Sequence, residues 1–445
     1  MTGASKPETI STKQDRIVKL AQQMPDRALS SLAHHIDIEW LREAHRRTRK
    51  DAAPGVDGET AKDYEQDLEG NLGRLLDAAK SGTYRAPPVR RVQIPKADGK
   101  TRPLGIPTHE DKVLQRAVTM VLEPIYEQEF HDFSYGFRPG RSAHQALEAL
   151  WQGLMKKNVP WVLDIDVQSF FDNLDHQTCQ VLLRKRVSDG VVSRLVGKWL
   201  NAGVLDGGVL RRHTAGMPQG GVISPLLANI YLHEVLDEWW VKDVLPRMRG
   251  QAFLIRYADD AVICFEREDD AKRVQAVLPK RFEQYGLRLH PEKTRLLHFE
   301  RPRGDDVPRG GPGQSRSFDF LGFTHVWGKS RTGKPVVQRS TMRSRFTRTV
   351  QAITAWCRKH RHTPLAYQAK QLAAKLRGHD AYYGITGNAR ALARLRYAVK
   401  LVWWKCLCRR SQRGHIHAER FYGQVLVRYP LPPPRVVHSY RSAKL

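Results

Sequence analysis

The sequence contains no long apolar run and few cysteines, and these two shortages exclude whole classes of protein. No stretch of its 445 residues approaches the roughly twenty consecutive apolar residues that span a bilayer. Residues 1–10 are polar and lack the apolar core of a secretory signal. The five cysteines are scattered and odd in number, which favours reduced thiols over a disulfide framework. We therefore expect a cytoplasmic protein that has no membrane partner.

Acidic residues are scarce as well. The chain has 46 Asp and Glu against 74 Lys and Arg, a net charge of +28, and residues 331–445 contain 25 Lys and Arg but only Asp380 and Glu419 as acids. A charge this large repels itself unless a polyanion neutralises it, and nucleic acid is the usual polyanion. The same segment holds twelve Phe, Tyr and Trp residues, most of which we expect to form core. As a whole, the segment predicts a surface that faces nucleic acid.

The local pattern predicts both strands and helices. Residues 91–106 have the pattern of a hairpin with an Asp-Gly turn. Residues 161–167 alternate, with apolar side chains on one face and carboxylates on the other. A helix should follow Ser224, a candidate N-cap, and two strands should lie within residues 252–265. Because a mainly helical pattern follows residue 331, the chain is predicted to be α+β.

Three aspartates lie where a carboxylate is costly. Asp166 ends an apolar strand, and Asp259 and Asp260 interrupt an apolar hairpin. Buried carboxylates need a partner, and two adjacent ones also repel each other. A divalent cation with oxygen ligands would remove that cost, and two such ions can activate one oxygen and stabilise another. On the residues alone, the alternative of an ordinary exposed turn at Asp259 and Asp260 stays open.

These aspartates belong to an ordered series of motifs. The three principal segments are Leu163–His176, Gly216–Pro225 and Arg256–Asp260. In order and spacing they resemble the reverse transcriptases, specifically the group II intron-encoded maturase/reverse transcriptases. The flanking segments that agree are residues 55–58, 94–96, 102–107, 134–142, 287–294 and 320–323. The Tyr-Ala-Asp-Asp box alone is a weak signal, but the ordered set is specific and covers about residues 52–414.

The resemblance implies a right-hand polymerase with fingers, palm and helical thumb. Its reaction would extend a DNA primer on an RNA template with deoxynucleoside triphosphates. Asp166 matches the first metal ligand of the palm, with the Val167 carbonyl as a further ligand. Asp259 and Asp260 match the second pair, of which Asp259 is the surer ligand. Two Mg²⁺ ions are implied, and the sequence does not separate Mg²⁺ from Mn²⁺.

The resemblance also assigns contacts to the incoming nucleotide. Lys96 and Arg102 match residues that grip the triphosphate, and Gln219 matches a residue that contacts the nucleotide. Phe171 matches a bulky residue beside the sugar 2′ position, although without the family it would be interpreted as a core aromatic. Lys293 occupies the next palm motif, where it could protonate or neutralise the leaving pyrophosphate.

Four domains follow from the same resemblance. They are an N-terminal extension (1–51), the fingers and palm (52–330), a thumb or maturase (X) domain (331–414) and a short basic DNA-binding-like tail (415–445). The third implies binding of group II intron RNA to promote splicing, and the last implies a DNA target. The sequence lacks the paired cysteines and His/Asn cluster of an HNH endonuclease, so it resembles the endonuclease-free branch associated with class C introns.

Two other functions remain open on the sequence. One is an RNA-binding splicing factor with a vestigial polymerase core. The retained polymerase residues argue against it: Asp166, Asp259, Asp260, Lys96, Arg102 and Gln219. The other is a domesticated reverse transcriptase that serves defence or repair without an intron.

Overall fold

The computed structural model describes residues 9–95, 101–211, 215–217, 220–302, 317–330, 332–411 and 415–439. Its α-helices, in chain order, are α1 (Ile10–Gln23), α2 (Ile38–Arg47), α3 (Ala61–Tyr64), α4 (Leu68–Ser81), α5 (His109–Tyr126), α6 (Ala143–Lys156), α7 (Phe170–Asn173), α8 (His176–Arg184), α9 (Gly190–Leu200), α10 (Ser224–Leu232), α11 (Glu268–Glu283), α12 (Arg343–Lys359), α13 (Leu365–Tyr383), α14 (Ala389–Leu407), α15 (Ala418–Arg420) and α16 (Leu426–Arg428). The strands are β1 (Val89–Pro95), β2 (Thr101–Ile106), β3 (Trp161–Ile165), β4 (Val204–Asp206), β5 (Val209–Arg211), β6 (Ala252–Tyr257), β7 (Asp260–Phe265), β8 (Arg295–His298), β9 (Ser317–Phe320), β10 (Phe323–Lys329) and β11 (Pro335–Thr341).

The strands form three sheets, and the predicted α+β class is confirmed. Their orders are β2-β1-β4-β5, β6-β7-β3-β8 and β11-β10-β9. The chain divides into two compact units, unit 1 (Met1–Ala146 and Leu163–Leu296) and unit 2 (Leu147–Val162 and Leu297–Leu445). Across the part of the chain that the structure describes, no helix is both long and apolar enough to cross a membrane.

Helix α5 is the centre of unit 1. Fourteen of its eighteen residues are buried, and five of these fourteen are polar or charged. Trp40 of α2 donates its indole N–H to the Ala117 carbonyl of α5 at 2.9 Å. The buried Asp111 of α5 accepts hydrogen bonds from Tyr84 and from the indole of Trp199. The buried carboxylate of Asp111 is therefore paired, as burial requires.

The predicted hairpin near the amino end of the polymerase motifs is confirmed. Strands β1 and β2 pair antiparallel from Arg90 opposite Ile106 to Pro95 opposite Thr101. The Asp98-Gly99 turn that the sequence predicts lies outside the described residues.

The second predicted hairpin is also confirmed. Strands β6 and β7 pair from Ala252 opposite Phe265 to Tyr257 opposite Asp260. This register leaves Ala258 and Asp259 as a two-residue turn. The predicted helix after the Gly-rich motif begins at Ser224 itself, so Ser224 is the first helical residue and not the N-cap.

Unit 2 combines the small sheet β11-β10-β9 with the helices α12 to α16. Trp403 of α14 is fully buried among leucines of α13 and α14, and its indole N–H donates to Gln368 at 2.8 Å. Trp151 of α6 is also buried and donates to the Val337 carbonyl at 2.9 Å. The expectation that single aromatics of the basic segment form core is confirmed for Trp403.

The segment around Gly136 lies directly against β6. Tyr135 donates its backbone N–H to the Arg256 carbonyl, and Arg256 donates to Phe133, both at 2.9 Å. A Cβ added at Gly136 would lie 2.8 Å from the Tyr257 carbonyl carbon and closer still to the Ala258 nitrogen. Only glycine allows two backbones to approach this closely.

We expect Gly136→Ala to lower the free energy of unfolding by about 1–3 kcal/mol, because the new methyl group displaces the Ala258 turn. Primer extension should fall with it. The matched control is Gly73→Ala in α4, where an added Cβ meets no atom within 4 Å. That change should instead stabilise the helix by about 1 kcal/mol. Chemical denaturation of both variants measures the difference, and equal behaviour would contradict the close approach at Gly136.

Candidate active site

The structure brings the three predicted aspartates together in unit 1. Strand β3 lies beside β7, so Asp166, which follows β3, is adjacent to the β6–β7 turn that carries Asp259 and Asp260. Asp166 and Asp259 are partly buried, whereas Asp260 is exposed. The alternative in which Asp259 and Asp260 form an isolated exposed turn does not account for this arrangement.

Asp166 and Asp259 share one electrostatic environment. The pKa of Asp259 is raised by burial and by the negative charge of Asp166, against the lowering effect of its own backbone N–H and of Arg256. Like charges held in a partly buried site fit a divalent cation with oxygen ligands. The donor set at this site therefore suits Mg²⁺ or Mn²⁺.

The ammonium group of Lys293 forms an ion pair with the carboxylate of Asp166. Its Nζ lies 3.1 Å from Oδ2 and 3.4 Å from Oδ1 of Asp166, and 59% of the Lys293 side chain is exposed. The Thr294 hydroxyl accepts from the Asp166 backbone N–H at 3.3 Å, and the His290 N–H donates to the Asp166 carbonyl at 2.8 Å. The segment 290–294 thus fixes the backbone of Asp166 and brings an ammonium group to its carboxylate.

Val167 pairs with Leu289 in an isolated antiparallel bridge and is buried. This pairing continues the contact between the Asp166 segment and the chain before Lys293. The metal role expected of the Val167 carbonyl stays a prediction.

The backbone is strained on both sides of the site. Ser169 has φ of +47° and Ala258 has φ of +56°. Such left-handed conformations cost a non-glycine residue on the order of 1–3 kcal/mol and persist only where surrounding contacts impose them. The strained residues directly precede Phe170 and Asp259, so the strain sets the direction of the chain at the site.

Arg256 supplies the contacts that hold the Ala258 turn. Its Nη1 donates to the Ala258 carbonyl at 3.1 Å and to Asn229 Oδ1 at 3.0 Å. Its Nε donates to Asp237 Oδ1 at 2.7 Å. Both charged side chains are 0% exposed. Burial alone would raise the pKa of Asp237, but the charge and hydrogen bonds of Arg256, with His233, lower it.

Arg256 has no role among those predicted from the sequence. A signal was present, because an arginine inside an apolar strand is costly unless a buried anion pairs with it. Its partners Asp237 and Asn229 lie 19 and 27 residues earlier, so spacing alone could not identify them. Asn229 also donates to the Gly136 carbonyl at 2.7 Å, which joins the Gly136 segment to the same network.

Phe171 lies next to the start of the Gly-rich loop, at Gly216 and Met217. It is partly exposed, and its ring meets that of Phe170 edge-on at 5.3 Å between centroids. The Phe171 carbonyl accepts from the Met217 N–H at 2.7 Å, and the Gly216 N–H donates to Leu174 at 2.8 Å. A Cβ at Gly216, where φ is +94°, would lie 2.9 Å from the Asp172 carbonyl oxygen. The Gly-rich motif is thus tied to the Phe171 segment by backbone contacts.

The other side of this loop approaches the β1–β2 hairpin. A Cβ at Gly220, where φ is +117°, would lie 2.5 Å from the Gly105 carbonyl oxygen of β2. Arg102 is on the same strand, opposite Ile94. Lys96 and Gln219 lie outside the described residues.

The family comparison agrees with this geometry. Residues 94–325 match the family described as reverse transcriptase (RNA-dependent DNA polymerase). The chain belongs to the reverse transcriptase family. The match contains the sheet β6-β7-β3-β8 and all three aspartates.

Individual relatives point to the same family and to introns. Protein YkfC of Escherichia coli is 34% identical over 362 residues, which cover 73% of this chain and 90% of that protein. Group II intron-encoded protein LtrA of Lactococcus lactis is 38% identical over 226 residues, covering 50% of this chain but 37% of LtrA. Nuclear intron maturase 4 of Arabidopsis thaliana is 29% identical over 140 residues, 31% of this chain and 17% of that protein. The predicted RNA-directed DNA polymerase of the group II intron-encoded kind is confirmed.

We expect Arg256→Met to destabilise unit 1 by about 3–5 kcal/mol, because Asp237 is left buried without its counter-ion. The double variant Arg256→Met, Asp237→Leu removes both charges and should recover most of that loss. Its primer extension should remain low, because the Ala258 carbonyl still lacks its donor. Denaturation and primer extension on the two variants separate folding from positioning. Full activity in the double variant would show that Arg256 contributes to stability alone.

Proposed function

We propose that this reverse transcriptase makes DNA through two divalent cations held by Asp166, Asp259 and Asp260. The observation that carries the proposal is that Asp166, which follows β3, lies beside the β6–β7 turn with Asp259 and Asp260. The raised pKa of Asp259, caused by burial and by the charge of Asp166, agrees with it. When bound, such ions activate the primer 3′-hydroxyl and stabilise the charge that develops on the phosphates. The contribution of the protein is to hold three carboxylates on the rigid β3 and β6–β7 segments.

The incoming deoxynucleotide is proposed to bind between the β1–β2 hairpin and the Phe171 segment. The approach of Gly220 to Gly105 supports this location, because it places the Gly-rich loop beside β2. Lys96 and Arg102 would then neutralise the triphosphate, and Gln219 would contact the nucleotide. Lys293, which pairs with Asp166 here, would neutralise or protonate the pyrophosphate that leaves.

The right-hand architecture is proposed as follows. The β1–β2 hairpin and the helices around α5 correspond to the fingers, the sheet β6-β7-β3-β8 to the palm, and α12 to α14 to the thumb. The sequence-derived bounds of 1–51, 52–330, 331–414 and 415–445 stay a prediction.

The RNA partner is proposed to be group II intron RNA in addition to a generic template. Residues 331–445 carry 25 Lys and Arg against two acids, which suits an RNA backbone. A DNA target and the endonuclease-free, class C-like assignment remain predictions. The domesticated alternative differs in genomic context, since folded intron RNA encoded on both sides of the gene would favour the intron-associated function.

We expect Asp166→Asn and Asp259→Asn each to reduce primer extension on an RNA template by at least ~100-fold in Mg²⁺, because each removes a metal-binding charge. RNA binding measured by filter retention should persist. The matched control is Asp77→Asn on α4, an exposed carboxylate in the same unit. It should extend the primer as the unaltered protein does.

A different result would change the assignment. If the unaltered protein binds RNA tightly but does not extend the primer, the splicing-factor alternative replaces the polymerase. If Asp77→Asn loses activity together with the other two variants, general charge rather than metal ligation is responsible.

Phe171 provides a test of sugar selection. We expect Phe171→Ala to improve ribonucleotide incorporation relative to deoxynucleotide incorporation by about tenfold or more, because the 2′-hydroxyl would no longer meet the ring. Phe171→Tyr keeps the ring and should preserve selectivity. The measurement is kcat/KM for both nucleotides. Unchanged discrimination in Phe171→Ala would place the steric barrier elsewhere.

A further inference from the structure

A group of two histidines and one glutamate lies in unit 1, on residues that the polymerase mechanism does not use. We define it as the His131 cluster: His131, His233 and Glu238. Their ligand atoms lie within 4.8 Å of one another, and all three side chains are partly buried. His131 Nε2 is 2.8 Å from Glu238 Oε1, and His233 Nε2 is 3.7 Å from the same oxygen.

The helix that carries two of these residues changes its winding at this point. Residues His233–Glu238 directly follow α10 and form a π-helical segment. A π-helix bonds residue i to residue i+5, so His233 and Glu238, five residues apart, come to lie one above the other. In an α-helix, residues three or four apart share a face, and these two would not. The uncommon winding therefore produces the pairing, and such segments are frequent at functional sites.

The far side of His233 faces a buried carboxylate. His233 Nδ1 is 3.6 Å from Asp237 Oδ2 and has no partner at hydrogen-bond distance. A proton on Nδ1 that points at this carboxylate leaves the Nε2 lone pair directed at the cluster. Carboxylates that orient the second nitrogen of a histidine in this way accompany metal-binding histidines in general.

The spacing of the three ligand atoms suits a small tetrahedral ion. With metal–ligand bonds of 2.0–2.1 Å, tetrahedral ligand atoms are about 3.3 Å apart. The two separations to Glu238 Oε1, 2.8 and 3.7 Å, fall on either side of that value, and all three ligand atoms lie within 4.8 Å of one another.

We propose that His131, His233 and Glu238 form a zinc-binding site, with the fourth position of the ion open to solvent. Imidazole and carboxylate ligands suit Zn²⁺, whereas Mg²⁺ prefers oxygen ligands alone, so this site is chemically distinct from the aspartate site. The competing arrangement is an ion-pair network, because Lys242 pairs with the other oxygen of Glu238.

Occupancy would affect the catalytic turn through one connected series of contacts. Zinc on His233 would fix that ring against Asp237, and Asp237 is paired with Arg256. Arg256 in turn donates to the Ala258 carbonyl beside Asp259. The proposed role of the ion is structural support of the polymerase site rather than chemistry.

The test is a Zn²⁺ titration of the full chain, freed of any affinity tag and dialysed against a chelator, in excess Mg²⁺. We expect one equivalent to bind in competition with a chromophoric chelator, and Co²⁺ to give the visible absorption of a tetrahedral site. His131→Gln and Glu238→Gln should weaken Zn²⁺ binding by at least about 100-fold. Zn²⁺ should raise the melting temperature of the unaltered protein and not that of His131→Gln.

Two controls make the result specific. His298→Gln removes a histidine that lies 3.8 Å from Glu300, and it should keep Zn²⁺ affinity. Asp259→Asn should keep it as well, because the aspartate site is separate. If the unaltered protein and His131→Gln bind Zn²⁺ equally, or if Asp259→Asn alone abolishes binding, the cluster is an ion-pair network and the proposal is wrong.

Discussion

The buried ion pair between Arg256 and Asp237 is the interaction on which the β6–β7 turn and its aspartates depend. Arg256 uses one guanidinium group to satisfy Asp237, Asn229 and the Ala258 carbonyl. Two fully desolvated charges are stable only with this complete set of hydrogen bonds, so the geometry around them has little freedom. As a result, the backbone of the Ala258 turn is held rigidly next to the carboxylates of Asp259 and Asp260.

Other residues of the same motifs also have a strained backbone conformation. Within the described residues, the non-glycine positions with positive φ are Phe137, Ser169, Ala258 and Leu321. Each lies in one of the segments that resemble the reverse transcriptase family. The turn at Leu321 is held in a similar way, since the Tyr382 hydroxyl donates to the Leu321 carbonyl at 2.8 Å. These segments thus contain backbone conformations that need specific neighbours.

The sequence predicted the hairpins, the aspartates and the family, but not the Arg256 network or the π-helical segment. The alternation of apolar and polar residues, together with the turn residues, predicted both hairpins. The ordered motifs identified the aspartates and indicated the family. The Arg256 network was not predicted, because its members are distant in the sequence and spacing does not identify the partners of Arg256. Ser224 was predicted as the N-cap of the helix after the Gly-rich motif, whereas it is the first helical residue. The π-helical winding at residues 233–238 has no simple sequence signature, because it depends on packing rather than on propensity.

Unit 2 is made of two separate stretches of the chain, and this affects when it can fold during synthesis on the ribosome. Trp151 donates to Val337, a partner 186 residues further along the chain. At about 5–20 residues per second, the ribosome delivers that partner on the order of ten seconds or more after Trp151. Until then, the apolar side of α6 has no β11 to cover it. Unit 2 therefore completes its core only after strands β6 and β7 of unit 1 have been made.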